Sequence, residues 1–205
     1  MILCDIGNST LDWYVNGIRS KQRIMDFNPS EHTERIYYIS VNSKLSTVLS
    51  AYDNWCDIAK LVDWTMYYPT MGIDRVMVCE AICEGVIVDA GSAITVDVMH
   101  SAQYCGGFIA LGLKSAQEAY AKLSPALAES FNFEVDLTIM AKNTPDAITI
   151  GFLTPLIDKI NSLGKPVYVT GGDSGVLSHL LCDAIVDDLL VFKGMIKLIE
   201  KGQLC

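Results

Sequence analysis

The sequence predicts a duplicated α/β fold with a ligand cleft between its halves. Three observations predict it. Clusters of strands are followed by helices, and that order occurs twice along the chain. The first strand of each cluster ends in the same D-x-G turn, Asp5-Ile6-Gly7-Asn8-Ser9 and Asp89-Ala90-Gly91-Ser92-Ala93, and each turn leads straight into another strand. The 205 residues are 51% hydrophobic and 19% charged, so the chain can bury a core in one domain or two small ones.

In chain order, Met1 to Ile6 and Leu11 to Ile18 read as strands, with Asn16-Gly17 as a turn and Arg19 to Phe27 as a third strand. A short helix is expected in the polar stretch after Asn28-Pro29-Ser30. Tyr37 to Val41 is then an apolar segment, and Ser43 to Tyr52 is helical. Gly72 to Gly85 reads as a buried helix with Gly85 at its C-terminal end. Three strands follow, over Val86 to Asp89, Ile94 to Met99 and Gly106 to Leu111, and then a helix from Leu113 to Leu127. Asn143-Thr144-Pro145-Asp146 starts another helix, with a capping hydroxyl, Pro at the first position and an acid in the first turn. That helix runs toward Asn161 with Pro155 bending or splitting it. Pro166 to Thr170 is a strand, Gly171-Gly172-Asp173 breaks it before a helix, and a final helix starts near Asp187-Asp188 with Leu189, Phe192, Ile196 and Ile199 on one face. The boundary between halves falls within 70–86, and we divide the chain into 1–75 and 76–205.

Composition excludes several function classes. A net charge of −9 without a Lys/Arg cluster gives no electrostatic footprint for nucleic acid. No apolar run approaches the ~20 residues needed to span a bilayer, and no signal peptide is expected. The seven cysteines, at 4, 56, 79, 83, 105, 182 and 205, form no CxxC pair and read as buried free thiols of a reduced, cytoplasmic protein. His32, His100 and His179 lack metal-ligand spacing. A Walker loop, a G-x-G-x-x-G fingerprint and a nucleophile elbow are all absent.

The remaining motifs point to phosphate. Each D-x-G turn puts backbone N–H groups and hydroxyls where they can meet phosphate oxygens: Asn8, Ser9 and Thr10 in one, Ser92, Ala93 and Thr95 in the other. Asp5 and Asp89 repel phosphate directly, so a bridging cation or ordered water is needed beside each. Gly72-Ile73-Asp74-Arg75 opens an otherwise apolar helix. Asp74 suits proton abstraction from an attacking hydroxyl, and Arg75 suits a bidentate grip on a carboxylate. Gly171-Gly172 lets a flat group such as adenine lie against the backbone.

In order and over almost the whole chain, these motifs resemble the type III pantothenate kinase family. The opening turn is similar to the family's first phosphate motif. Met71 to Arg75 is similar to its G-x-D-R segment, and Val88 to Asp97 to its second phosphate motif. Cys105 to Leu113 resembles its GGxIxPG segment, with Leu111 where the family has Pro. Ala141 to Phe152 resembles its Thr-containing helix start, Tyr168 to Asp173 its TGG element, and Asp187 to Met195 its Leu-rich C-terminal segment. The resemblance implies an actin-like (ribonuclease H-like) fold, a homodimer, and γ-phosphoryl transfer from ATP to the 4′-hydroxyl of pantothenate. Mg²⁺ and a monovalent cation, K⁺ or NH₄⁺, are implied as well. Carried over by position, Asp74 is the general base and Arg75 the carboxylate contact. Gly72, Gly107 and Thr144 line the substrate pocket, with Tyr67 or Tyr68. Asp5 organises the metal-nucleotide, and Gly7, Asn8, Ser9, Gly91, Ser92, Ala93, Gly171 and Gly172 surround the nucleotide. Asp89 holds the monovalent cation. Another small-molecule kinase or a phosphohydrolase on the same fold, or a non-catalytic regulatory relative, are the alternatives.

Overall fold

A computed structural model describes residues 1–202; Cys205 lies outside the described residues. The chain divides into two compact units. One is Met1–Ile82 joined by the chain from Leu189 onward, and the other is Cys83–Asp188. The expected cut after residue 75 would pass through a helix, and it misses the return of the C-terminal helix to the first unit.

The first unit is built on a five-stranded sheet. Its strands are β1 (Ile2–Ile6), β2 (Thr10–Val15), β3 (Ile18–Arg23), β4 (Ile36–Ser40) and β5 (Trp55–Asp57), and its helices are α1 (Ser43–Leu49) and α2 (Ile73–Ala81). The order is β3-β2-β1-β4-β5, with β1 antiparallel to β2 and parallel to β4. The second unit holds β6 (Gly85–Ala90), β7 (Ala93–His100), β8 (Gln103–Leu111), α3 (Leu113–Leu123), α4 (Thr144–Asn161), β9 (Val167–Thr170), α5 (Ser174–Leu180) and β10 (Ile185–Val186). Its order, β10-β9-β6-β7-β8, repeats that of the first sheet strand for strand: β6 is antiparallel to β7 and parallel to β9. The chain closes with α6 (Leu190–Lys201), which belongs to the first unit.

Alternation along the strands sorts their faces. In the first unit, Cys4, Ile6, Leu11 and Trp13 pack with Ile36, Tyr38 and Trp55 on one face. On the other face Leu3 and Tyr14 are register partners, and Tyr14 stacks on Phe192 of α6 with ring centroids 5.3 Å apart. In the second unit, Val86, Val88, Ala90, Ile94 and Val96 pack against Ile148, Leu153 and Ile157 of α4.

Several local expectations change. The buried helix ends at Ala81, and Gly85 instead opens β6 at φ +148°, where an added Cβ would meet the Pro166 carbonyl oxygen at 2.8 Å. Gly85 is therefore a close-approach glycine rather than a helix cap. The third strand stops at Arg23 and gives way to a 3₁₀ turn over Ile24–Asp26, and the polar stretch that follows makes a second one over Pro29–Glu31. The helix from Leu113 stops at Leu123, and Ser124 turns extended so that Pro125 starts a separate 3₁₀ turn. Pro155 lies inside α4 without splitting it. The cap of α4 is the Asn143 amide, which accepts from the Asp146 N–H at 2.9 Å, so the Thr144 hydroxyl does not serve as the cap. The thiols are not uniformly buried: Cys4 and Cys79 are, while Cys83, Cys105 and Cys182 are exposed. Burial, with Asp5 and Asp12 nearby, pushes the Cys4 thiol well above its usual range and keeps it protonated.

The β7–β8 connection is a two-residue turn at Ser101 (φ 51°) and Ala102 (φ 60°), both left-handed, with His100 paired to Gln103. It went unseen in the sequence because neither residue favours that region. Its anchor is Glu84, which accepts from the Ser101 N–H at 2.9 Å. Lys165 first, then His100 and the Ser101 N–H, hold the Glu84 carboxyl down at about 2, so it stays ionised at any ordinary pH. Ala102→Gly removes the left-handed Cβ penalty. The relief of about 1–2 kcal/mol exceeds the roughly 0.4–1 kcal/mol of entropy that glycine adds to the unfolded chain, so we expect a net gain of about 0.5–1 kcal/mol and a Tm rise of roughly 1–4 °C in a calorimetric scan.

Candidate active site

In the first unit, the turn after β1 lies at the C-terminal end of the two parallel strands β1 and β4, where open α/β sheets bind ligands. The Gly7 N–H donates to the Thr10 carbonyl at 2.9 Å and closes the turn, leaving Asn8, Ser9 and Thr10 exposed at its tip. Asp5 is half-buried and pairs across the sheet with Asp12. The Asp12 carboxylate is already engaged: Arg19 Nε donates to both of its oxygens at 3.0 Å.

The second cluster of this unit sits at the start of α2. Asp74 is half-buried, and its Oδ1 accepts from the Arg75 N–H at 2.8 Å. Gly72 makes room for it, since an added Cβ there would collide with Asp74 Oδ1. Arg75 is only 5% exposed, yet it is a cation in an apolar helix. Its Nη1 donates to the Tyr68 hydroxyl, and its guanidinium carbon lies 5.7 Å from the Tyr68 ring centroid. Tyr67 turns the other way, into the interior, where its hydroxyl donates to Glu80 at 2.9 Å. Of the two tyrosines, Tyr68 is the one beside Arg75.

In the second unit, two predicted segments converge. The Gly91 N–H donates to the Ala93 carbonyl at 3.0 Å, a turn one residue shorter than its counterpart at Gly7. Gly171, at φ +93°, packs directly against it: an added Cβ would meet Asp89 Oδ1 and the Ala90 carbonyl oxygen, each at 2.5 Å. The Asp173 N–H donates to that same Ala90 carbonyl at 2.9 Å. The two-glycine turn thus abuts Asp89, and Gly172 is exposed beside it with open space around its Cα.

Three residues of this region, Gly112, Ser115 and Asp97, escaped the sequence reading. Gly112 abuts the turn so closely that a Cβ would collide with the Gly91 and Ser92 carbonyl oxygens. Ser115 Oγ donates to the Ser92 carbonyl at 3.1 Å. Thr95, read from the sequence as one of the groups that can meet phosphate oxygens, is the register partner of Asp89 and shares its face of the sheet; its Oγ1 is buried without a hydrogen-bond partner among the described residues. Asp97, fully buried two residues further on, also points to that face and pairs with Gly107. A lone carboxylate inside the apolar run Ile94 to Met99 was the available signal.

Thr144 lines, with Tyr120, Leu127, Lys142, Asn143 and Ile148, a cavity of about 450 Å³ in the second unit.

Comparison with known proteins decides the family. A family model described as type III pantothenate kinase matches residues 54–165, more than half of the chain. The chain belongs to the type III pantothenate kinase family. A type III pantothenate kinase of Sulfurimonas denitrificans is 48% identical over 205 residues, all of both chains. One of Helicobacter hepaticus is 39% identical over 204 residues, covering 98% of this chain and 99% of its own. Among solved structures, a Campylobacter jejuni protein described provisionally as a conserved Baf family transcriptional activator is 34% identical with a TM-score of 0.89, over 100% of both chains. A Sinorhizobium meliloti protein described provisionally as a 2-dehydro-3-deoxygalactonokinase, 11% identical, aligns with a TM-score of 0.59 over 98% of each chain, a likeness of fold. Leu111, standing where the resembling motif has Pro, is exposed. No helix among the described residues is long and apolar enough to cross a membrane.

Proposed function

We propose that this chain is a cytoplasmic pantothenate kinase, transferring the γ-phosphoryl of ATP to the 4′-hydroxyl of pantothenate, the first step of coenzyme A synthesis, and working as a homodimer. The observation that carries the reading is the pair at the start of α2. Asp74 uses only one carboxylate oxygen, and Oδ2 accepts no hydrogen bond among the described residues, so it has a lone pair for the hydroxyl proton. Arg75, held by Tyr68, offers a planar fork for a carboxylate. A sugar substrate would give that fork no carboxylate to bind.

The second unit supplies the anion turn. Backbone N–H groups at Ser92 and Ala93 serve the phosphates, and Gly112 and Gly171 allow the close packing that fixes the turn. Gly171 and Gly172 give adenine a flat surface. In the first unit Gly7, Asn8 and Ser9 have the same role toward phosphate, and Asp5 is the carboxylate for a nucleotide-bound Mg²⁺. Asp89 fits a monovalent cation because the unpartnered Thr95 Oγ1 lies on its own face of the sheet. Such ions neutralise phosphate charge that this acidic chain cannot neutralise with side chains. Gly107 and Thr144 belong to the pantothenate-binding set.

The test is ADP release from purified protein with ATP, Mg²⁺ and pantothenate, with and without K⁺ or NH₄⁺. Turnover is expected to need pantothenate and the monovalent ion, and Thr95→Val is expected to raise the K⁺ concentration for half-maximal rate. Turnover indifferent to pantothenate would transfer the fold to another acceptor. A folded protein with no turnover would favour a regulator, in line with the description given to the Campylobacter relative.

A further inference from the structure

Glu80 is a carboxylate buried to 9% exposure near the end of α2, and no step above uses it. Both of its oxygens are engaged. Tyr67 donates to Oε1 at 2.9 Å, and Lys201 of α6 donates to Oε2 at 2.7 Å. Burying a paired carboxylate gains little stability over an apolar residue of the same size; what it supplies is a fixed geometry. That geometry reaches the site through one peptide unit. Tyr67 has extended backbone angles (φ −128°, ψ 157°), so its side chain and that of Tyr68 point to opposite sides. Fixing the Tyr67 ring against Glu80 therefore fixes the direction of the Tyr68 ring against Arg75. The segment is held at its other end too. The Met71 N–H donates to the Tyr68 carbonyl at 3.0 Å across Pro69, and Met71 is buried. Two adjacent tyrosines thus grip α2 at positions five residues apart, one on its buried anion and one on its buried cation.

We propose that Glu80, with Tyr67 and Lys201, is a positioning residue that orients the Arg75 guanidinium through Tyr68 and so sets the affinity for the substrate carboxylate. The proposal rests on the reading of Arg75 as the carboxylate contact. Its test compares pantothenate with pantothenyl alcohol, which keeps the acceptor hydroxyl and lacks the carboxylate. Glu80→Gln is expected to raise KM for pantothenate about 5–20-fold, with kcat and KM for ATP within about 2–3-fold of the parent. KM for pantothenyl alcohol is expected to stay unchanged, so the preference for the acid shrinks. Tyr67→Phe, which loses one oxygen and keeps the ring, is expected to shift the same preference in the same direction and carries the test where Glu80→Gln does not fold. A folded Tyr67→Phe or Glu80→Gln enzyme with the parental preference overturns the proposal, as does an equal rise in KM for both compounds. Arg75→Ala separates the two levels. If it abolishes the preference while the Glu80 and Tyr67 variants keep it, only the positioning role falls; if it leaves the preference intact, the Arg75 reading falls as well.

Discussion

Replacing Asp74 with asparagine is expected to lower kcat by about 10²–10⁴-fold, the usual contribution of a positioned general base. The substitution keeps size and shape, and an asparagine oxygen can still accept the Arg75 N–H that Asp74 Oδ1 accepts at 2.8 Å. The start of α2 therefore survives. What disappears is a basic oxygen able to take the hydroxyl proton as phosphoryl transfer proceeds. Arg75 is untouched, so KM for pantothenate should move little, and the thermal transition should stay near that of the parent. A steady-state assay of ADP release beside a melting curve checks both halves. Turnover near the parental rate would remove Asp74 from the chemistry and leave it as an N-terminal acid on a helix, where it would contribute only through the helix dipole.

The second large effect concerns the platform under that residue. Gly194 of α6 lies against α2 so closely that an added Cβ would overlap the Met77 carbonyl oxygen and sit 2.7 Å from its carbonyl carbon. Both obstacles are helix backbone and cannot turn aside as a side chain would. Gly194→Ala must therefore part the two helices, and overpacking of this kind costs about 3 kcal/mol. For a chain of this size that is a fall in Tm of roughly 6–12 °C. Because α2 carries Asp74 and Arg75 at its start, activity should fall with stability. Gly151→Ala in α4 is the control. Nothing lies within 4 Å of the Cβ it would add, and a helix interior prefers alanine, so this variant should be neutral or slightly stabilised. A Gly194→Ala protein that melts like the parent would mean that α6 can shift away without loss.

The sequence by itself determined the features that depend on residue type and near neighbours. The two D-x-G turns were legible because the same turn recurs at a strand end that leads straight into another strand, and the matching strand orders of the two sheets bear out the duplication they implied. Asp74-Arg75 stood out because two charges open an apolar helix. Tertiary structure decided what depends on contacts between distant segments. The return of α6 to the first unit, where Gly194 packs on Met77, depends on contact between distant segments, and no local pattern encodes it. Strand β5 is three residues long and exists only through its ladder with β4. The choice between Tyr67 and Tyr68 needed Glu80 and Lys201, far along the chain from one another. The partnership of Thr95 with Asp89 is a matter of register across β6 and β7. A chain's local propensities specify which residues can do chemistry; only the burial of one segment against another specifies which of them are held in place to do it.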